Sequence, residues 1–225
     1  VFEETIQTRY IGSKRFSIEG VAALIPLLVT AIEECAEDGA DQAMIAMSHR
    51  GRLNVMSQVI GRTPVELFAG FEDVDPRSVL GSGDVKYHLG ATGTLTTPSG
   101  KKVRLHLNSN PSHLEVVSSV AMGRMRAKLT RLGDVTGRKI VPLLLHGDSA
   151  FAGQGIAAET LNFAALDGFE VGGALQIVVN NLIGFTTEPK AYSSTRYATD
   201  VARRLPVPIF HVNAEDPEAV VRAAT

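Results

Sequence analysis

Three polar clusters follow directly on apolar runs in this 225-residue chain: Ser48-His49-Arg50-Gly51-Arg52, residues 147–155 opening with Gly147-Asp148, and residues 180–187 opening with Asn180-Asn181. Residues 147–155 read as a loop whose glycines let backbone N–H groups approach a ligand. Free N–H groups where a helix begins attract phosphate. Taken alone, the same run also fits an ordinary strand-to-helix turn. Asp148 and Asn181 close two successive apolar runs joined by one helical stretch. A carboxylate and an amide oxygen are hard ligands, which suit Mg²⁺ or Ca²⁺ and not zinc. Two such ligands leave coordination positions for phosphate oxygens and water, the usual way Mg²⁺ holds a diphosphate.

The elements that must position these clusters are legible as periodicities. Val21, Leu24, Ile25, Leu28, Ile32 and Cys35 recur at steps of three and four. That spacing predicts an amphipathic helix over 19–37, with Pro26 either kinking it or marking its start. Residues 42–47 read as a buried strand and 53–60 as a helix. Residues 70–90, rich in Gly, Asp, Pro and Ser, read as a long irregular loop, a kind that often carries function. Residues 92–97 and 101–107 flank Pro98-Ser99-Gly100 and predict a hairpin decorating the domain. A helix is expected over 114–132, with Val117, Ala121, Met125 and Leu129 inward. Its Arg124, Arg126, Lys128 and Arg131 read as a solvated or subunit-contact face.

Further strands are expected at 140–145, 175–179 and 207–212, and further helices at 156–166 and 196–205. Asp216-Pro217-Glu218 opens a last helix, with Asp as cap and Pro at the first position. Apolar strands alternating with helices predict an α/β fold: a three-layer parallel sheet with helices on both faces. Such sheets bind ligands beyond the carboxyl ends of their strands, which puts the three clusters on one edge.

Composition narrows the classes. Hydrophobic residues make up 44% and charged residues 20%, a globular rather than a disordered mixture. A net charge of -2 gives no electrostatic case for nucleic acid or an anionic membrane. The single cysteine, Cys35, excludes an intrachain disulfide framework, fits a reducing compartment and reads as a small core hydrophobe. No apolar run is long enough to span a membrane. The start at Val1 and the end within 219–225 are expected of a piece of a longer chain.

Longer words in the sequence then resemble a known family. Gly147-Asp148 with Asn180-Asn181 looks like the diphosphate motif of the transketolase-like, thiamine diphosphate-dependent enzymes. His49-Arg50-Gly51-Arg52-Leu53-Asn54, Gly83 to Gly90, Asn108 to Glu115 and Asn180 to Thr187 resemble the decarboxylating first component of 2-oxoglutarate dehydrogenase. The resemblance runs from about Arg15 to Asn213. It implies a thiamine diphosphate-binding fold, with residues 1–225 as the diphosphate-side domain. It implies that Asp148, Asn181 and the carbonyl of Ile183 hold Mg²⁺. Arg50, Ser112, Leu114, Asp148, Ser149, Ala150 and Asn181 should line the cofactor. His49 and His88 are the catalytic candidates, His88 also facing the substrate; imidazoles can donate to a carboxylate and move protons near neutral pH. His146 should support the site rather than react.

The implied reaction is decarboxylation of 2-oxoglutarate, with succinyl transfer to the lipoyl group of a succinyltransferase component, in a homodimer of the bacterial cytoplasm or the mitochondrial matrix. Three alternatives stay open: a 2-oxoadipate dehydrogenase, a 2-oxoglutarate decarboxylase that also joins carbon skeletons, and a non-catalytic phosphate- or nucleotide-binding domain. The family's cofactor-activating glutamate belongs to a second domain, so residues 1–225 alone are expected to have little turnover. Ser149 stands where the family often has Ala, and Leu182 where it often has Gln. The 131–139 connection is shorter than the family's.

Overall fold

The computed structural model describes residues 1–13, 15–72 and 87–225. In chain order the helices are α1 (Phe2–Arg9), α2 (Leu24–Glu37), α3 (Arg52–Gln58), α4 (Pro64–Glu72), α5 (Val116–Leu132), α6 (Asp148–Gly153), α7 (Gly155–Asn162), α8 (Pro189–Tyr192) and α9 (Pro217–Ala224). The strands are β1 (Gln42–Met47), β2 (Ala91–Thr96), β3 (Lys102–Leu107), β4 (Ile140–Gly147) and β5 (Leu175–Val179), in sheet order β2-β3-β1-β4-β5. Neighbours among β3, β1, β4 and β5 run parallel, so their carboxyl ends share one edge. The sheet is mostly rather than wholly parallel, because β2 runs antiparallel along β3.

The α/β expectation is borne out, and β1 shows why. All six of its residues are buried. Alternate side chains feed two cores: Ala43, Ile45 and Met47 meet α2 and α3, while Met44 and Ala46 meet α5. Each large apolar side chain buried this way contributes roughly 1.5–3 kcal/mol. Helix α2 begins at Leu24, which places Pro26 in the first turn, where its missing N–H costs nothing. Pro26 therefore marks a start and makes no kink. Helix α5 buries the stripe Val117, Ala121, Met125 and Leu129. Its basic flank is not simply solvated. Arg124 Nη1 donates to Asn108 Oδ1 (2.8 Å), Lys128 Nζ to Gln42 Oε1 (2.9 Å), and Arg126 to the Glu170 carbonyl.

Five expectations are corrected. The hairpin is part of the main sheet rather than a decoration, because Val103, Leu105 and Leu107 alternate into the core and β3 pairs with β1. A Cβ on Gly93 of β2 would stand 1.9 Å from the Ile60 carbonyl oxygen, so β2 packs directly on backbone. The expected long loop is entered by α4, which extends to Glu72; residues 73–86 lie outside the described residues. Residues 147–155 are not a loop: β4 runs to Gly147, and α6 begins at Asp148. Residues 207–212 form no strand. Pro206 and Pro208 lack the donors a ladder needs, and Val207 (48%), Phe210 (70%) and Val212 (39%) are exposed. The expected helix over 196–205 is a 3-10 turn at Ala198–Arg204. The last helix is capped as expected, Asp216 Oδ1 accepting from the Ala219 N–H at 2.9 Å.

Candidate functional site

The carboxyl ends of β1, β3, β4 and β5 carry the site, and a buried arginine holds two of them in place. Arg52 is fully buried in the first turn of α3. Its guanidinium donates to the carbonyls of Met47 (3.3 Å), Leu89 (2.8 Å) and Asn108 (2.5 Å). These carbonyls end β1, follow His88 and end β3. Burial pulls the arginine down to about 10, which leaves it charged at neutral pH. The three carbonyls offset part of the cost of desolvating that charge.

This bracing assembles an imidazole corner. The rings of His49 and His88 lie 5.2 Å apart, and Phe16 and Tyr87 stand 5.2 and 5.8 Å from His49. His88 is half-buried, and its Nε2 lies 3.0 Å from the Ser112 hydroxyl. Asn110 ties the corner to the sheet: its Nδ2 donates to the Met47 carbonyl (2.6 Å), and its N–H to the His88 carbonyl (2.9 Å). The structure thus brings His49, His88 and Ser112 together from three separate segments. Leu114 is 55% exposed, whereas the Ala150 side chain is buried inside α6.

A second corner forms where β4 and β5 end. Asp148 is 2% exposed at the start of α6. Residues 180–187 curl over it, with Leu182 (φ +56°) and Phe185 (φ +58°) in the left-handed region that costs non-glycine residues energy. Paired hydrogen bonds between Gly184 and Thr187 close the loop. The Asn181 amide can be placed either way round. In one, Nδ2 donates to Asp148 Oδ1 (3.2 Å) and the Ile183 carbonyl (3.1 Å), while Oδ1 accepts from Arg50 (3.1 Å). In the other, three oxygens converge, with the Asn181 oxygen accepting from the Ile183 N–H at 3.3 Å. Oxygens about 3 Å apart are spaced like neighbours around an octahedral Mg²⁺ with bonds near ~2.1 Å. The residues therefore fit a hard cation, which would favour the second orientation. Arg50 Nη1 donates also to the Ser17 carbonyl (3.1 Å), next in the chain to Phe16. Ser149 packs against Gly184, whose ideal Cβ would lie 2.9 Å from Ser149 Cβ.

Several supporting contacts escape a reading of the sequence. His146 bonds through Nδ1 to Glu115 and through Nε2 to Gln176 Oε1 (2.7 Å), with both Glu115 and the histidine buried. Glu115 itself holds φ +68°. This chain links the 108–115 segment, β4 and β5, in keeping with the supporting role expected of His146. Tyr192 donates to Asp148 Oδ2 at 2.5 Å. Asn110 and Glu115 lie inside a word the sequence singled out, and Arg52 inside another. Tyr192 carries no local signal.

Fold and site together define an α/β domain with an oxygen cluster at the ends of β4 and β5 and a histidine pair beside the ends of β1 and β3. The chain belongs to the dehydrogenase E1 component family, whose model matches residues 1–225. It is 50% identical over 228 residues to the multifunctional 2-oxoglutarate metabolism enzyme of Mycolicibacterium vanbaalenii. It is 51% identical over 223 residues to the 2-oxoglutarate dehydrogenase E1/E2 component of Corynebacterium glutamicum. These matches cover 99% and 98% of this chain but only 18% of each relative, so the chain spans less than a fifth of their length.

Proposed function

We propose that residues 1–225 form the diphosphate- and Mg²⁺-holding wall of a thiamine diphosphate-dependent enzyme that decarboxylates 2-oxoglutarate. The single observation that carries this reading is the convergence of Asp148, Asn181 and the Ile183 carbonyl at the ends of β4 and β5. Those three groups would hold the cation. Arg50 would offer its guanidinium to the diphosphate, and Ser112, Leu114, Ser149 and Ala150 would line the cofactor. When bound, thiamine diphosphate supplies the nucleophile and electron sink that decarboxylation of a 2-oxo acid needs.

The chain's own part is to bind, orient and move protons. His49 and His88 present adjacent imidazoles to an anionic 2-oxo acid, and the Ser112 hydroxyl holds His88 Nε2. The Phe16 and Tyr87 rings pack against His49 and would limit the ways its imidazole can turn. In the whole protein the succinyl group passes to the lipoyl arm of a succinyltransferase component, and two copies of the chain associate. A phosphate-binding module without catalysis has no use for the His49–His88 pair. The names of both relatives favour 2-oxoglutarate over 2-oxoadipate. The name of the multifunctional relative favours more than one activity on 2-oxoglutarate. Both relatives are bacterial, which supports the bacterial cytoplasm as the location. Among the described residues, no helix is long and apolar enough to cross a membrane.

Calorimetry of thiamine diphosphate with Mg²⁺ into the full-length protein tests the reading. Asp148→Ala is expected to weaken binding by about a hundredfold or more. Unchanged affinity in that variant would remove the assigned metal site.

A further inference from the structure

The geometry points to Tyr192 as a positioning residue that fixes the Asp148 carboxylate for the cation. The inference rests on the proposed role of Asp148. The two carboxylate oxygens have different neighbours: Oδ1 faces the Asn181 amide at 3.2 Å, while Oδ2 accepts the Tyr192 hydroxyl at 2.5 Å. A carboxylate tethered at one oxygen cannot rotate to present both, so the phenol leaves Oδ1 to face Asn181.

A second contact makes the tether rigid. A Cβ on Gly184 would lie 3.0 Å from Tyr192 Cδ1, so the tyrosine ring packs directly on the loop that carries the Ile183 carbonyl. One side chain therefore touches the carboxylate and braces the loop opposite it. The ring is delivered by α8, which opens with Pro189 and closes with the Ser193 N–H donating to the Pro189 carbonyl at 2.9 Å. Phenylalanine would preserve the ring packing and remove only the tether.

The test titrates Mg²⁺, and separately Mn²⁺ followed by its paramagnetic resonance signal, into full-length protein at saturating thiamine diphosphate. Tyr192→Phe is expected to weaken both ions about tenfold or more, as loss of a group that orients a metal ligand does. Its melting temperature without metal should stay that of the wild type. Incorporating 3-fluorotyrosine at 192 keeps ring and donor and should restore wild-type ion affinity; failure to restore it would overturn the inference. Wild-type ion affinity in Tyr192→Phe, with Asp148→Ala still defective, would overturn the tyrosine's role alone. Wild-type ion affinity in Asp148→Ala would overturn the metal site and the inference with it.

Discussion

His88 Nε2 and the Ser112 hydroxyl lie 3.0 Å apart, and this contact pins a half-buried imidazole beside the ring of His49. The hydroxyl can donate or accept, so it holds the ring in either tautomer. In the full-length protein, His88→Ala is expected to lower 2-oxoglutarate turnover about a hundredfold or more, the usual worth of a proton-transfer group. Thiamine diphosphate affinity should stay unchanged. Steady-state kinetics beside calorimetry check this; equal losses in turnover and cofactor affinity would assign His88 to the cofactor instead.

Arg52→Met removes the donor for three carbonyls at the ends of β1 and β3 and after His88. A methionine can fill the space but cannot satisfy the carbonyls. The expected loss is about 3 kcal/mol, read as a lower unfolding midpoint. A midpoint equal to the wild type would show that water replaces the guanidinium without cost.

Gly93→Ala tests the place of the hairpin in the sheet. The added methyl would meet the Ile60 carbonyl oxygen at 1.9 Å, and a backbone atom cannot swing aside. A destabilisation of about 3 kcal/mol is expected. A freely tolerated alanine would contradict the packing of β2 on the segment after α3.

His106 makes stability depend on pH. Burial, together with the nearby Lys128, Arg124 and Arg104 charges, pulls its imidazole down to about 4. Its Nε2 is 2.8 Å from Lys128 Nζ, a contact that needs the neutral ring as acceptor. Below an ordinary histidine value of about 6.5, the unfolded chain takes up a proton that the folded chain refuses until about 4. Stability should therefore fall as pH drops across that window. Melting curves of wild type and His106→Gln check the sign: the variant should lose less stability between those two values. Parallel curves would contradict it.

Much of the framework is determined by the sequence itself. The stripes of α2 and α5 and the apolar runs of β1, β4 and β5 are local periodicities, and each appears within a few residues of its expected bounds. The partnership of Asp148 and Asn181 is also legible, because both follow apolar strands and one crossover separates them. The tertiary structure decided what depends on strand order and on contacts distant along the chain. Nothing in residues 101–107 says that β3 lies beside β1, since an alternating strand can pair with any neighbour. Residues 207–212 are apolar enough for a strand, yet with Pro206 and Pro208 lacking donors they pair with none of the described strands. Arg52 finds its three carbonyls, His146 its Glu115 and Gln176, and Tyr192 its Asp148 only once the sheet has stacked their segments. Periodicity records which face of an element is apolar. The partner of a buried polar group is set by where the backbone ends meet, and that is a property of the assembled sheet.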